Sequence, residues 1–508
     1  MALRNLLVGL LLSLALALPA AAAEPTEERP AARQSDGVLA LLPHDAVTEH
    51  VLKVGGETLA YTATAGTLGL FGQDGNRTAA IFYTAYVAKR AEGQGERPIT
   101  FVFNGGPGAA SAYLNLGLVG PRILEFGADG HDGAGARLVD NPDSWLAFTD
   151  LVLIDPIGTG WSRTARPDDA TNFYGVRADA ESIAKAIALY VSRNGRASSP
   201  KYLLGESYGG FRAAKVASAL KEDQGILVSG IVMLSPLIDG ELVFGAGDEP
   251  FGAALQLPSL AAAELERRNA FSEAAVREAE TFAIQTFLPA LAGPPPTGEA
   301  ARAFYGKVAD LTGIPVEVVE RHQGMIGNAY VKHSAKSPAE VVSPYDAALN
   351  VPDPYPESDT DHSDDAVLDG FTRAYGGAFA SYARDELGFS TDMTYTLLSG
   401  DVNSHWQWSG DRRGGSRREA SAEDDIRQLL SVVPSFRLLV AQGYSDLVIP
   451  YGTNKYILDH MPPAVHDRVG LKLYRGGHMF YTRPDSRAAF SADARAFFAA
   501  GAPAAHSD

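Results

Sequence analysis

The stretch Lys201-Tyr202-Leu203-Leu204-Gly205-Glu206-Ser207-Tyr208-Gly209-Gly210-Phe211-Arg212-Ala213-Ala214 decides how this chain is read. Its first residues form an apolar run of strand length and its last residues open a helix of small side chains, so Ser207 stands on a sharp strand-to-helix turn. Such a turn holds a hydroxyl out from the backbone, and glycines on either side let strand and helix approach without side-chain collision. A serine so placed is a candidate nucleophile. A strand that feeds straight into a helix is also the building unit of a parallel sheet.

Working outward from that turn, the alternation recurs. Ala79 to Val87, Ile99 to Phe103, Leu151 to Ile154, Tyr202 to Leu204 and Gly230 to Leu234 are short runs rich in β-branched and aromatic residues, and from Asn104 onward they alternate with helical or loop segments. Gly175 to Asn194 sets Ala180, Ile183, Ala184, Ile187 and Val191 on one helical face, as a crossover helix packed on a sheet requires. The earliest strands are joined by short turns and are expected to pair antiparallel at one edge. The strand pattern returns with Phe436 to Ala441 and Leu471 to Tyr474, followed by a last helix from about Asp485 to Ala499.

Between residues 240 and 425 the chain turns to Ala-, Glu- and Arg-rich helical stretches, broken by Gly293-Pro294-Pro295-Pro296 and by an acidic loop from Asp353 to Asp365. The expectation is an α/β core in two parts, residues 46–239 and 426–508, around a mainly helical cap inserted at 240–425. Asp353, Asp359, Asp361, Asp364 and Asp365 carry oxygen ligands of the kind calcium takes, but their spacing matches no EF-hand, so the loop is read as solvated.

At 508 residues the chain exceeds one ordinary domain, and with 46% hydrophobic and 20% charged residues its composition is that of a globular protein. Acidic residues outnumber basic ones, 61 to 43, for a formal charge of −18, which argues against a nucleic-acid partner. The absence of cysteine excludes disulfides, thiolate metal sites and a cysteine nucleophile. Arg4, the apolar run Leu6 to Leu18, Pro19 and the alanines before Glu24 have the pattern of a secretory signal peptide. The run is short of the roughly 20 apolar residues a membrane-spanning helix needs. Residues 1–23 are therefore expected to be cleaved, leaving 24–45 as a flexible N-terminus on an exported protein, periplasmic or secreted, without membrane contact.

A serine hydroxyl becomes a nucleophile only when a base takes its proton, and the base must be oriented by an acid. Asp446 lies just past the strand Phe436 to Ala441, in Gly443-Tyr444-Ser445-Asp446, and His478 just past Leu471 to Tyr474, in Gly476-Gly477-His478-Met479. Serine, acid and histidine then follow in the chain order that a nucleophile elbow implies. Asp401 and Asp411 compete for the acid, and His460 and His466 for the base. Asn104-Gly105-Gly106-Pro107-Gly108 follows the strand Ile99 to Phe103, and its amides, with that of Tyr208, are candidate donors to an oxyanion. Trp406, Trp408 and Tyr395 are read mainly as packing residues that also suit a pocket wall.

Together these segments resemble the serine carboxypeptidase family, peptidase family S10. The match runs in family order through Asn104 to Gly108, Asp155-Pro156-Ile157-Gly158-Thr159-Gly160-Trp161-Ser162, Gly205 to Gly210, the Asp446 segment and Gly477-His478-Met479. The resemblance implies an α/β-hydrolase fold and a serine exopeptidase acting on the C-terminal end of peptides, without metal or organic cofactor. It assigns Ser207, Asp446 and His478 to the triad and the amides of Gly106 and Tyr208 to the oxyanion hole. Asn104, Gly105 and Glu206 become substrate-binding residues, with Glu206 holding the terminal carboxylate only when protonated. Two departures stand out. Leu118 occupies the position, fourteen residues after Asn104, where eukaryotic members carry a second glutamate, and Ala109-Ala110-Ser111 stands where the family usually has Cys-Ser-Ser. With the signal peptide, these suggest a divergent prokaryotic branch. An esterase or acyltransferase, a proline iminopeptidase-like enzyme and an inactive binding module are the alternatives, and the oligomeric state is left open.

Overall fold

The computed structural model describes residues 37–501 apart from 91–95, 128–131, 246, 335–336, 359–363 and 410–414. The expected signal peptide lies outside the described residues, as does the N-terminal stretch up to residue 36. The remainder of that stretch is not a free tail: Gly37–Leu41 forms a 3-10 turn that buries Leu39.

Among the described residues ten strands make one main sheet, nine of them in a row: β1 (Ala46–Val54), β2 (Glu57–Phe71), β3 (Arg77–Ala88), β4 (Ile99–Phe103), β5 (Asp150–Ile154), β6 (Lys201–Glu206), β7 (Gly230–Leu234), β8 (Arg437–Gly443) and β9 (Val469–Tyr474). Their spatial order is β1-β2-β3-β5-β4-β6-β7-β8-β9, with the short strand Arg163–Thr164 paired to β3. From β5 to β9 every neighbour is parallel. The first three strands meander antiparallel and join the sheet through β3 and β5, as the short turns between them predict.

The parallel strands inside the sheet read as nearly unbroken apolar runs because both faces are covered, whereas β9 at the edge is only partly buried. Ile99, Phe101 and Phe103, Leu203, Ile231 and Met233, and Leu438 and Val440 point to one face. There they meet the helices α1 (Val176–Arg193), α2 (Tyr208–Gln224) and α4 (Glu423–Val432). Val102, Tyr202 and Leu204, Val232 and Leu234, and Leu439 and Ala441 point to the other, under α5 (Pro484–Ala500) and residues 113–119 and 375–389. Each such aliphatic side chain contributes about 2 kcal/mol on leaving water. The expected face of α1 is the buried one.

The expected cap divides its residues. Helix α3 (Pro250–Arg267) and the helices up to Val316–Arg321 share an apolar cluster of their own. The helix Ala374–Asp385 packs instead on a face of the sheet, so part of the 240–425 stretch is core. Among the described residues no helix is long and apolar enough to cross a membrane.

Candidate active site

Ser207 directly follows β6 and caps α2 with φ 60° and ψ −126°, a left-handed conformation that costs a non-glycine residue about 1–3 kcal/mol and persists only where the surroundings enforce it. They do so through hydrogen bonds: the Ser207 amide donates to the Leu234 carbonyl (2.8 Å), and the Ser207 carbonyl accepts from Gly210 (2.9 Å) and Leu237 (3.1 Å). The glycines are required by contact. A Cβ on Gly205 would lie 1.9 Å from the Gly209 carbonyl oxygen, one on Gly209 2.7 Å from the Phe103 oxygen, and one on Gly210 2.5 Å from Pro236 Cβ.

Asp446 and His478 sit on the loops after β8 and β9, which are parallel neighbours, so the sheet brings the two loops together. His478 Nδ1 lies 2.9 Å from Asp446 Oδ2, both side chains being buried. The other carboxylate oxygen, Oδ1, accepts from the amides of Val448 (2.9 Å) and Ile449 (3.0 Å), so the acid cannot turn away from the imidazole. Burial opposes a charge on His478, but the charge and hydrogen bond of Asp446 outweigh it and hold the imidazole above its ordinary value. Ser235 Oγ donates to the His478 carbonyl (2.8 Å), and the His478 amide donates to the Tyr345 carbonyl (2.5 Å). Ser207 and His478 line one pocket.

The Asn104 loop leaves β4 and lies against the elbow: a Cβ on Gly105 would stand 2.6 Å from both the Glu206 oxygen and the Tyr208 nitrogen. Gly106, at φ 100° before a cis bond to Pro107, adopts a backbone that only glycine takes without strain. The loop is held from beneath. Arg212, buried in α2, pairs with Asp179 (2.6 Å), donates to the Asn104 carbonyl and lies 4.9 Å from the centre of the Tyr208 ring.

The side chain of Asn104 donates to Glu206 Oε2 and accepts from the Leu114 amide (3.1 Å). Burial pushes the Glu206 carboxyl up to about 7; nearby His478, the Tyr481 hydroxyl beside it and the Asn104 hydrogen bond pull the other way. Asn104, Gly105, Gly106, Glu206, Ser207, Tyr208 and His478 thus converge on one pocket, and Asp446 supports it from behind.

The competitors fall elsewhere. Asp401 pairs with exposed His405, and Asp411 lies outside the described residues. His460 and His466 engage the backbone carbonyls of Tyr456 and Met461. Trp408 lines the pocket and stands edge-on to Tyr208 (5.5 Å), as Trp406 does from the buried side (5.2 Å); Tyr395 packs on Trp161 instead. Sequence reasoning missed Tyr113 and Tyr345. Tyr345 meets His478 edge-on at 5.2 Å from a loop of the inserted stretch, Ser343-Pro344-Tyr345-Asp346, that carries no recognisable pattern. Tyr113 had a signal, standing nine residues after Asn104 in a stretch otherwise apolar and small.

Among the described residues no three His, Asp or Glu side chains gather as a metal site would. In the acidic loop Asp353 pairs with Lys332 (2.5 Å) and Asp365 accepts from Ser343 and the amides of Tyr345, Val367 and Leu368, while Asp359 and Asp361 lie outside the described residues.

Residues 61–242 match the family model described as serine carboxypeptidase, a span that holds the Asn104 loop and Ser207 and ends before Asp446 and His478. Serine carboxypeptidase-like 35 of Arabidopsis thaliana is 29% identical over 143 residues, 28% of this chain and 28% of that protein. A pheromone-processing carboxypeptidase of Yarrowia lipolytica is 31% identical over 142 residues, 27% of this chain and 21% of that protein. The chain therefore spans less than a third of the length of the curated relatives it matches. Its fold is similar over a greater length to the crystal structure of a prohormone-processing carboxypeptidase from Saccharomyces cerevisiae, with a TM-score of 0.55 at 14% identity, covering 86% of this chain and 91% of that one. Residues 61–242 are thus similar in sequence to serine carboxypeptidases, and most of the chain shares its fold with one such enzyme.

Proposed function

We propose that the chain is a serine-type carboxypeptidase that releases the C-terminal residue of a peptide through an acyl-enzyme. Ser207 Oγ attacks the last peptide carbonyl while His478 Nε2 takes its proton, and Asp446 at Nδ1 fixes the tautomer and stabilises the imidazolium. The amides of Gly106 and Tyr208 receive the oxyanion, His478 returns the proton to the leaving amine, and water resolves the ester by the same steps in reverse. None of these steps calls for a metal or an organic cofactor.

One observation carries this reading: strained Ser207 and His478, buttressed by Asp446, face a single pocket against which the Asn104 loop is packed. Ser207→Ala is expected to lower kcat by at least about 10⁴-fold, because the members of such a triad act as a unit. Circular dichroism should show the fold unchanged; peptidase activity persisting in this variant rules out Ser207 as the nucleophile.

An esterase on the same scaffold is kept open by Leu118, a buried apolar residue where the resemblance leads one to look for a second carboxyl. Comparing an N-acyl dipeptide with its C-terminal amide and with an acyl ester separates the two. The N-terminal pattern further supports export, to a periplasm or beyond the cell, and N-terminal sequencing of the mature protein tests it.

A further inference from the structure

Three buried polar atoms near the pocket have no hydrogen-bond partner among the described residues: Glu206 Oε1 and the hydroxyls of Tyr113 and Tyr481. An unpaired buried polar group costs about 1–3 kcal/mol, so such atoms gathered together mark a place where a ligand supplies what the chain does not. Tyr113 lines the pocket with Asn104, Gly105, Glu206 and Ser207, and its ring rests edge-on against Tyr375 (5.7 Å). Tyr481, three residues past His478, stands beside the Glu206 carboxyl without meeting it in full hydrogen-bond geometry.

The turn that carries Leu118 makes room for Tyr481 and for Tyr375, on which Tyr113 rests. A Cβ on Gly117 would lie 2.7 Å from Tyr481 Cε2 and 3.0 Å from the Tyr375 hydroxyl, so the glycine makes room for both rings. Leu118 itself is fully buried in the apolar layer under the sheet. The neighbourhood of Glu206 is therefore furnished with phenols, and no second carboxyl stands at position 118.

We propose that Tyr113 is the neutral hydrogen-bond donor that receives the free α-carboxylate of the substrate's C-terminal residue, with Tyr481 as a positioning residue that orients Glu206 beside it. The proposal rests on the carboxypeptidase reading and names the residue that gives it end specificity. Burial, with Glu206 adding to it, raises both hydroxyls above the ordinary phenol value. Both remain protonated donors wherever the enzyme works. A carboxyl in that place would have to be protonated first, whereas a phenol meets a carboxylate at neutral pH without that cost.

The test compares kcat/KM for an N-acyl dipeptide and for its C-terminal amide in the wild-type chain and in Tyr113→Phe. Removing a hydroxyl that no protein group bonds leaves the ring packing in place, and labelling of Ser207 by a fluorophosphonate reports that the site is folded. The wild type is expected to prefer the free acid. In Tyr113→Phe that preference should fall roughly tenfold or more, chiefly through KM, as expected for one lost hydrogen bond to a charged group. Tyr481→Phe should act differently, shifting the pH at which KM for the free acid rises. An unchanged acid-to-amide ratio in Tyr113→Phe overturns the proposal while leaving the carboxypeptidase reading intact. A wild-type ratio near one overturns both.

Discussion

Glu206 and His478 ask for opposite conditions at neighbouring positions. The Glu206 carboxyl can donate to a substrate carboxylate only while protonated, and burial lifts its pKa to about 7. His478 can accept the serine proton only while neutral, and Asp446, prevailing over burial, holds its pKa above 6.5. For peptides with a free C-terminus, kcat/KM should therefore be bell-shaped and narrow, with limbs that belong to the coupled pair. Glu206→Gln supplies a permanent neutral donor. Its alkaline limb should disappear, and its acid limb should move to lower pH because a negative charge that helped His478 keep its proton is gone. A full pH profile of the variant decides; an alkaline limb that persists with the free acid removes Glu206 from substrate binding. The same shift acts on stability. The folded pKa lies above the reference value of 4.5, so the folded chain binds the extra proton and stability falls as pH rises from about 4.5 through about 7.

At the scale of elements, the elbow and the Asn104 loop are one unit, and helix α2 joins them. Arg212 lies near its start, pairs with Asp179 of α1 and bonds the carbonyl of Asn104. Both charges are almost wholly buried, so removing the arginine leaves Asp179 without a counter-ion. Arg212→Met should lower stability by about 3–5 kcal/mol in urea denaturation, and the folded fraction should show a lower kcat because the Asn104 loop loses its support. A midpoint that does not move would mean that the pair is dispensable. This pair was hidden in the sequence, which shows Arg212 only as one residue of a helix, whereas the strands around it were plain. β4, β6 and β7 are buried on both faces, and such strands write themselves as continuous apolar runs bounded by glycine or polar turns. Ser207, Asp446 and His478 were legible for a related reason: each stands just past a recognisable strand, so local pattern located it. Tyr345 and Tyr481 act through contacts made far along the chain or within a turn, and no periodicity announces a contact of that kind.

At the scale of the whole molecule, the wall of the pocket depends on how the inserted stretch is fastened to the sheet. The loop at 343–347 reaches the triad from the insertion: Ala347 donates to the Ser445 carbonyl (3.0 Å), Leu447 to the Pro344 carbonyl (3.0 Å), and Ser445 Oγ to Asp346 (2.6 Å). Arg483, on the segment after His478, bridges Asp346 and Glu266 of α3 at 2.6 Å each, so one guanidinium ties the histidine loop to two parts of the insertion. Its two acids are only 9% and 6% exposed; without it Asp346 loses its ion pair, while Glu266 keeps Arg475 at 3.1 Å. Arg418 offers a control of the same form, bridging Asp248 and Glu249 where those acids are 70% and 47% exposed. Arg418→Met should change stability by less than about 1 kcal/mol, since water and salt screen such pairs. Arg483→Met should cost about 3 kcal/mol, because the desolvated Asp346 carboxylate left without an ion pair is expensive. It should also lower kcat, since the Tyr345 carbonyl that fixes the His478 amide belongs to the loop that Arg483 anchors. Urea midpoints and single-turnover rates for the two variants, measured side by side, test whether burial sets the difference. Equal losses would mean that the insertion is held by its apolar contacts and that Arg483 does not couple it to the triad.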